Sequence, residues 1–124
     1  MSVVFFELPQ CKTCIQAREF LEGHNVCFES RHLADNNPNA EEIKAWHEAS
    51  GLPIRAFTNC WGVKYRQLGL KAKFEEGLTD EQAYELLASD GLLVRHPLLV
   101  VDGVPLRPGF HSRIWSAALG LDED

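Results

Sequence analysis

Residues 3–6 form a β-branched and aromatic run that Pro9 closes, the pattern of a buried strand. The polar stretch Pro9-Gln-Cys-Lys-Thr-Cys follows as a loop. The apolar period then lengthens from two to 3.6. Cys14, Ala17, Phe20 and Leu21 share one helical face, while Lys12, Gln16, Glu19 and Glu22 face water. Gly23 ends this helix, Asn25 lies in the turn, and residues 26–29 read as a second strand. Asp35-Asn-Asn-Pro-Asn is a polar loop. Asn39 with Glu42 three residues on then has the form of a capping box. Ile43 and Trp46 mark the apolar face of the helix it starts, and Gly51 and Pro53 end it. Thr79 with Gln82 starts a second such helix, with Ala83, Leu86 and Leu87 inward and Gly91 at its close. Residues 98–101 read as a third strand, Asp102-Gly103 as a hairpin turn, and residues 104–107 as the returning strand. Ile114, Trp115, Ala118 and Leu119 line the face of a last helix, with Gly120 beyond it.

The order is β-α-β, a helical block over about residues 34–92, then β-β-α. The first unit predicts a parallel strand pair with a crossover helix, and the last adds an antiparallel hairpin under a covering helix. The expected fold is α/β, a thioredoxin-like mixed sheet with an inserted helical subdomain. At 124 residues it is expected to form one domain, 1–124.

Composition narrows the function classes. Hydrophobic residues make up 45% and charged residues 24%, too apolar for disorder. Lys+Arg total 12 against 18 Asp+Glu, a net charge of −6. That balance argues against direct nucleic-acid binding by phosphate neutralisation and against an anionic membrane surface. No apolar run reaches the roughly 18 residues of a membrane span, and the N-terminal residues lack a basic region and a small-residue cleavage site. The four cysteines therefore read as reduced thiols rather than a disulfide framework, and a cytoplasmic location is expected.

The chemistry concentrates at Cys11 and Cys14. A Cys-x-x-Cys at a strand-to-helix junction places a sulfur on the free N–H groups and positive dipole end of the helix, with Lys12 adding a cation. Such a thiolate is stabilised, so its pKa is expected to fall. Cys11, at the junction, is the expected attacking sulfur; Cys14, a turn on and facing inward, is the expected resolving thiol. Two other readings stand beside this one. The pair could be small apolar residues, or half a zinc site drawing on His24, Cys27 and His32.

Other residues carry a functional and a structural reading each. Pro97, between His96 and a strand, either holds a cis peptide or simply opens the strand where no donor is needed. His96 either tunes the thiolate or sits at the surface. Arg55 and Arg107 are isolated cations suited to an oxyanion or a carboxylate, or else solvated surface residues. Cys27 is expected in the core. Cys60 is a core residue or an exposed third redox thiol. Trp46, Trp61 and Trp115 are expected to pack, the last two with the alternative of a partner surface.

Three segments together resemble the ArsC/Spx family over nearly the whole chain. They are Cys11-Lys-Thr-Cys14 before a helix, Arg55-Ala-Phe-Thr-Asn-Cys-Trp-Gly-Val-Lys-Tyr-Arg, and Arg95-His-Pro-Leu-Leu-Val-Val-Asp-Gly followed by Arg107-Pro-Gly-Phe. The resemblance implies a thioredoxin-like fold with a helical insert and a cis proline at Pro97. It implies either of two functions. Arsenate reductases of the glutaredoxin-dependent type use a cysteine matching Cys11, with glutathione and glutaredoxin completing the reduction. They hold the anion with three arginines. Arg55 and Arg107 match two, but the third position, before the proline, is His96, with Arg95 one residue earlier. Spx-like regulators use a Cys-x-x-Cys matching Cys11 and Cys14 as a disulfide switch and bind the RNA polymerase α-subunit. The leading expectation is a thiol–disulfide oxidoreductase acting on a small anionic or thiol substrate, with no bound cofactor or metal. Glutathione, glutaredoxin or thioredoxin is its expected electron donor. The redox-switched regulator is the alternative.

Overall fold

The computed structural model describes residues 1–121. Four strands form one sheet in the order β2-β1-β3-β4. β1 (Val3–Glu7) is central, with β2 (Glu29–His32) parallel on one side and β3 (Leu98–Val101) antiparallel on the other; β4 (Val104–Pro105) pairs with β3. α1 (Lys12–Gly23) makes the crossover and α6 (Ser112–Leu119) closes the described fold. Between β2 and β3 lies the helical insert. It contains α2 (Ala40–Ser50), α3 (Val63–Gln67), α4 (Leu70–Glu75) and α5 (Asp80–Ser89), with 3-10 turns at Ile54–Phe57 and Gly91–Leu93. This is the thioredoxin-like mixed sheet that the element order predicts. No described helix is long and apolar enough to cross a membrane.

Strand alternation distributes the core to both faces. Val3 and Phe5 of β1 and Leu99 of β3 pack with Ala17, Leu21, Trp115 and Leu119, under α1 and α6. Phe6, Leu98 and Val100 point the other way, into Leu33, Ile43, Trp46, Phe57 and Leu87 of the insert side. Both capping boxes form: Asn39 with Glu42 opens α2, and Thr79 with Gln82 opens α5. Asp102 (φ +50°) and Gly103 (φ +82°) turn the hairpin in the left-handed region that such two-residue turns require.

Several local expectations are corrected. The second strand is not 26–29 but Glu29–His32, so Cys27 falls in the preceding loop and is exposed rather than in the core. β2 is an edge strand, and its polar side chains hold it: Ser30 donates to Glu7, while Arg31 pairs with Glu42 at 2.5 Å and lies over the Phe6 ring. The returning strand stops at Pro105. Gly91 does not cap α5 but starts the following 3-10 turn, buried where a Cβ would overlap the Leu33 carbonyl. Ile114 is exposed although Trp115 beside it is fully buried, and Trp61 is 85% exposed rather than packed.

Candidate active site

α1 begins directly after the loop that leaves β1, so its first turn sits at the carboxyl end of the central strand. Cys11 is the N-cap residue, with extended backbone (φ −80°, ψ 117°). Its Sγ accepts a hydrogen bond from the Cys14 N–H at 3.2 Å. A cysteine sulfur thus takes the place of the usual serine or aspartate oxygen at a helix start, where a backbone donor favours negative charge. Cys11 is half-buried and reachable; Cys14, on the inner face of the same turn, is fully buried.

The two thiols differ in environment. Burial pushes the Cys14 thiol up to about 12, and its interaction with the Cys11 side chain and the charges of Cys11 and Glu7 add to that. A backbone hydrogen bond with Leu8 acts in the opposite direction without prevailing. Cys14 is therefore held as the neutral thiol beneath an accessible partner.

His96 lies across from Cys11. Together with Leu8, Pro9, Gln10 and Leu92 they line a cleft of about 500 Å³. The His96–Pro97 peptide is cis, and the His96 Nδ1 is 3.0 Å from the Val94 carbonyl. The chain returning from β4 docks on this corner, where the Gly109 N–H donates to the Pro97 carbonyl at 2.9 Å. Arg107, exposed, is two residues from that contact. Cys11, His96 and Pro97 are thus brought to one end of the sheet. Arg55 is not among the residues lining the cleft. Its exposed guanidinium lies 5.1 Å over the Phe74 ring and 3.4 Å from the Tyr65 hydroxyl.

One residue behind the site has no precedent in the sequence reading. Glu7, the last residue of β1, is 4% exposed and ion-paired with Arg18 of α1, and it accepts from Ser30 of β2. Arg18 follows Cys14 by one helical turn, so this carboxylate–guanidinium pair anchors the helix face that carries the buried thiol. The only trace in the sequence is a charge at the end of an apolar strand. His24 and Cys27 share a separate small cavity near the end of α1, and among the described residues no three metal-ligating side chains gather. The zinc alternative thus finds no assembled ligand set there.

A family model described as the ArsC family matches residues 6–118. The chain belongs to the ArsC family. YusI, an uncharacterized protein of Bacillus subtilis, is 44% identical over 110 residues, covering 89% of this chain and 92% of its own length. The regulatory protein MgsR of the same organism is 28% identical, covering 79% of this chain and 75% of its own. The solved structure of a possible arsenate reductase from Streptococcus mutans superposes with a TM-score of 0.83 at 38% identity, covering 89% of this chain and 92% of that one. The ArsC-family frame therefore carries both reductase-like and regulator-like relatives, and in this chain it presents two cysteines.

Proposed function

We propose that this ArsC-family chain is a thiol–disulfide oxidoreductase in which Cys11 attacks and Cys14 resolves. One observation carries the reading: a reachable sulfur capping a helix, hydrogen-bonded by the N–H of a buried second thiol, at the floor of a cleft beside a cis proline. The Cys11 thiolate attacks one sulfur of a disulfide. A Cys11–substrate bond forms, the substrate S–S bond breaks, and the leaving thiolate takes a proton. Cys14 then loses its proton and attacks the Cys11 sulfur. This yields a Cys11–Cys14 disulfide and releases the second substrate thiol. Two electrons from glutathione, or from a dithiol protein of the glutaredoxin or thioredoxin class, restore both thiols. Pro97 shapes the groove. Arg55, His96 and Arg107 are the residues proposed to hold an anionic group of the substrate, whether arsenate or the carboxylates of a tripeptide thiol.

The deciding experiment measures reduction of a small disulfide, and of arsenate with glutathione and glutaredoxin, by wild type and Cys11→Ser. Loss of turnover in the variant is expected; full activity in Cys11→Ser ends the proposal. Similarity to MgsR favours a second reading, in which the Cys11–Cys14 disulfide switches binding to the RNA polymerase α-subunit. Pull-down of that subunit that changes with oxidation state would select it.

A further inference from the structure

The largest chemical asymmetry of the molecule lies outside the Cys11 cleft. Residues 55–73 contain Arg55, Lys64, Arg66, Lys71 and Lys73 and no Asp or Glu, in a chain whose net charge is −6. All five cations are exposed. Among the described residues only Lys64 has a carboxylate partner, Asp90 at 3.6 Å. Surface cations usually find counter-charges nearby; here Glu75 acts on Arg55 at longer range than an ion pair, and the five cations still outnumber Asp90 and Glu75, which leaves a net positive field looking outward.

The same segment displays apolar side chains. Trp61 is 85% exposed, Val63 57% and Leu68 42%. A tryptophan left in water beside two aliphatic residues is the composition of an interface centre, not of an idle surface. Between α3 and α4 the segment opens into a cavity of about 700 Å³ whose walls include Trp61, Tyr65 and Leu70, with Arg66, Lys71 and the single carboxylate Glu75 at the charged positions. Apolar walls with two cations against one carboxylate at the rim fit a side chain entering from a chain that carries carboxylates around it.

We infer that the 55–73 face of the insert is a docking surface for an acidic protein segment that seats one apolar side chain in the Trp61–Tyr65–Leu70 cavity. Charge complementarity selects this occupant. A nucleic acid is less well matched, because the rest of the chain repels phosphate and the cavity is a single hole rather than a track for a backbone. The surface is placed beside the reactive cleft: the Asn59 side chain donates to the Leu92 carbonyl at 3.3 Å, and Leu92 lines the Cys11 cleft. The docking surface and the Cys11 cleft are thus joined through the Asn59–Leu92 contact. The inference goes beyond the thiol chemistry and does not depend on it.

The test uses the full chain and a pool of labelled twelve-residue peptides randomised among Asp, Glu, Leu, Phe and Tyr. A matched pool has Asn and Gln in place of the acids. Binding is read by fluorescence anisotropy at low and moderate salt. The acidic pool should bind at least tenfold tighter than the amide pool, and moderate salt should weaken it. Binding should fall at least tenfold in Trp61→Ala and in the double charge reversal Arg66→Glu, Lys71→Glu. Cys11→Ser should bind as wild type does, which separates this inference from the proposed catalysis. Circular dichroism confirms that each variant is folded. Equal binding of both pools, no binding of either, or indifference to the substitutions overturns the inference. Tighter capture of a single-stranded oligonucleotide, or peptide-independent self-association abolished by the same substitutions, overturns it in favour of those occupants.

Discussion

Resolution by Cys14 is expected to be slow at neutral pH and to accelerate steeply with alkalinity. A thiol pushed up to about 12 is ionised to roughly one part in 10⁵ at pH 7, against about one part in 10² at the ordinary value of 9.0. That thousandfold deficit is partly offset, because a more basic thiolate is a better nucleophile. With a Brønsted slope of about 0.4–0.5, three units return about 15- to 30-fold, leaving a net handicap of about 30- to 60-fold. The handicap is not constant through the cycle. Burial is its largest cause and persists, as does the Glu7 charge, but the hydrogen bond and charge of Cys11 vanish once that sulfur is in a mixed disulfide. Cys14 thus becomes easier to ionise after substrate has bound covalently, while still lying above an ordinary thiol. The assay loads Cys11 with thionitrobenzoate in a Cys27→Ser, Cys60→Ser background and follows release of the coloured thiol by stopped flow. The rate should rise about tenfold per pH unit from pH 6 to pH 9 with no plateau, and Cys14→Ser should abolish the release. A rate that bends toward a plateau by pH 9 would refute the reasoning, because the resolving thiol would then ionise as an unburied one does.

Other outcomes follow from the packing. Arg18→Met strands the buried Glu7 carboxylate with Ser30 as its remaining side-chain partner and should cost about 3 kcal/mol in urea unfolding. Burial alone would raise the Glu42 carboxyl, but the hydrogen bond from Arg31 and the Asn39 N–H prevail and hold it below the ordinary range. Its stabilisation is therefore present above pH 4.5 and lost as pH falls through the lower folded value. Glu42→Gln, which keeps the capping acceptor, should lose about 0.5–1 kcal/mol at neutral pH and show a shallower acid decline of Tm. Gly91→Ala puts a methyl into the backbone of Leu33, which cannot swing aside, and should cost about 3 kcal/mol or more by thermal unfolding. Trp61→Ala should stay within about 0.5 kcal/mol of wild type, whereas Trp115→Ala should lose about 3–5 kcal/mol.

The sequence was informative wherever one local rule decided the outcome. Both capping boxes, the Asp102-Gly103 turn and the central strand are short-range patterns, and each appears where its pattern stands. The Cys11 cap belongs with them, because strand, loop and helix follow in unbroken order. Reading failed where distant partners decide. Residues 26–28 have strand propensity, yet pairing with β1 starts at Glu29, where Ser30 and Arg31 meet Glu7, Glu42 and Phe6. A polar edge strand held by its side chains has no apolar signature, so the local pattern at residues 26–29 points Cys27 to the core when the chain leaves it exposed. Glu7 is illegible for the same reason: its partner Arg18 is eleven residues away, and nothing in a strand-end glutamate announces a buried ion pair. The contacts of Arg55 were equally illegible: Phe74 and Tyr65, which engage its guanidinium, stand ten or more residues further along the chain.

The stretch before the cis proline also has a mechanical consequence. Thr58 bridges Val94, the Asn59 N–H donates to the Leu93 carbonyl at 2.7 Å, and the Arg95 N–H donates to the Phe57 carbonyl at 2.8 Å. An insertion tethered only at its two ends could swing as a flap. This one is stitched midway, by main-chain bonds, to the strip that delivers His96. Force applied to the insert is therefore felt at the imidazole, and the amides of Asn59 and Arg95 should exchange with solvent together, as one opening unit, rather than on separate clocks.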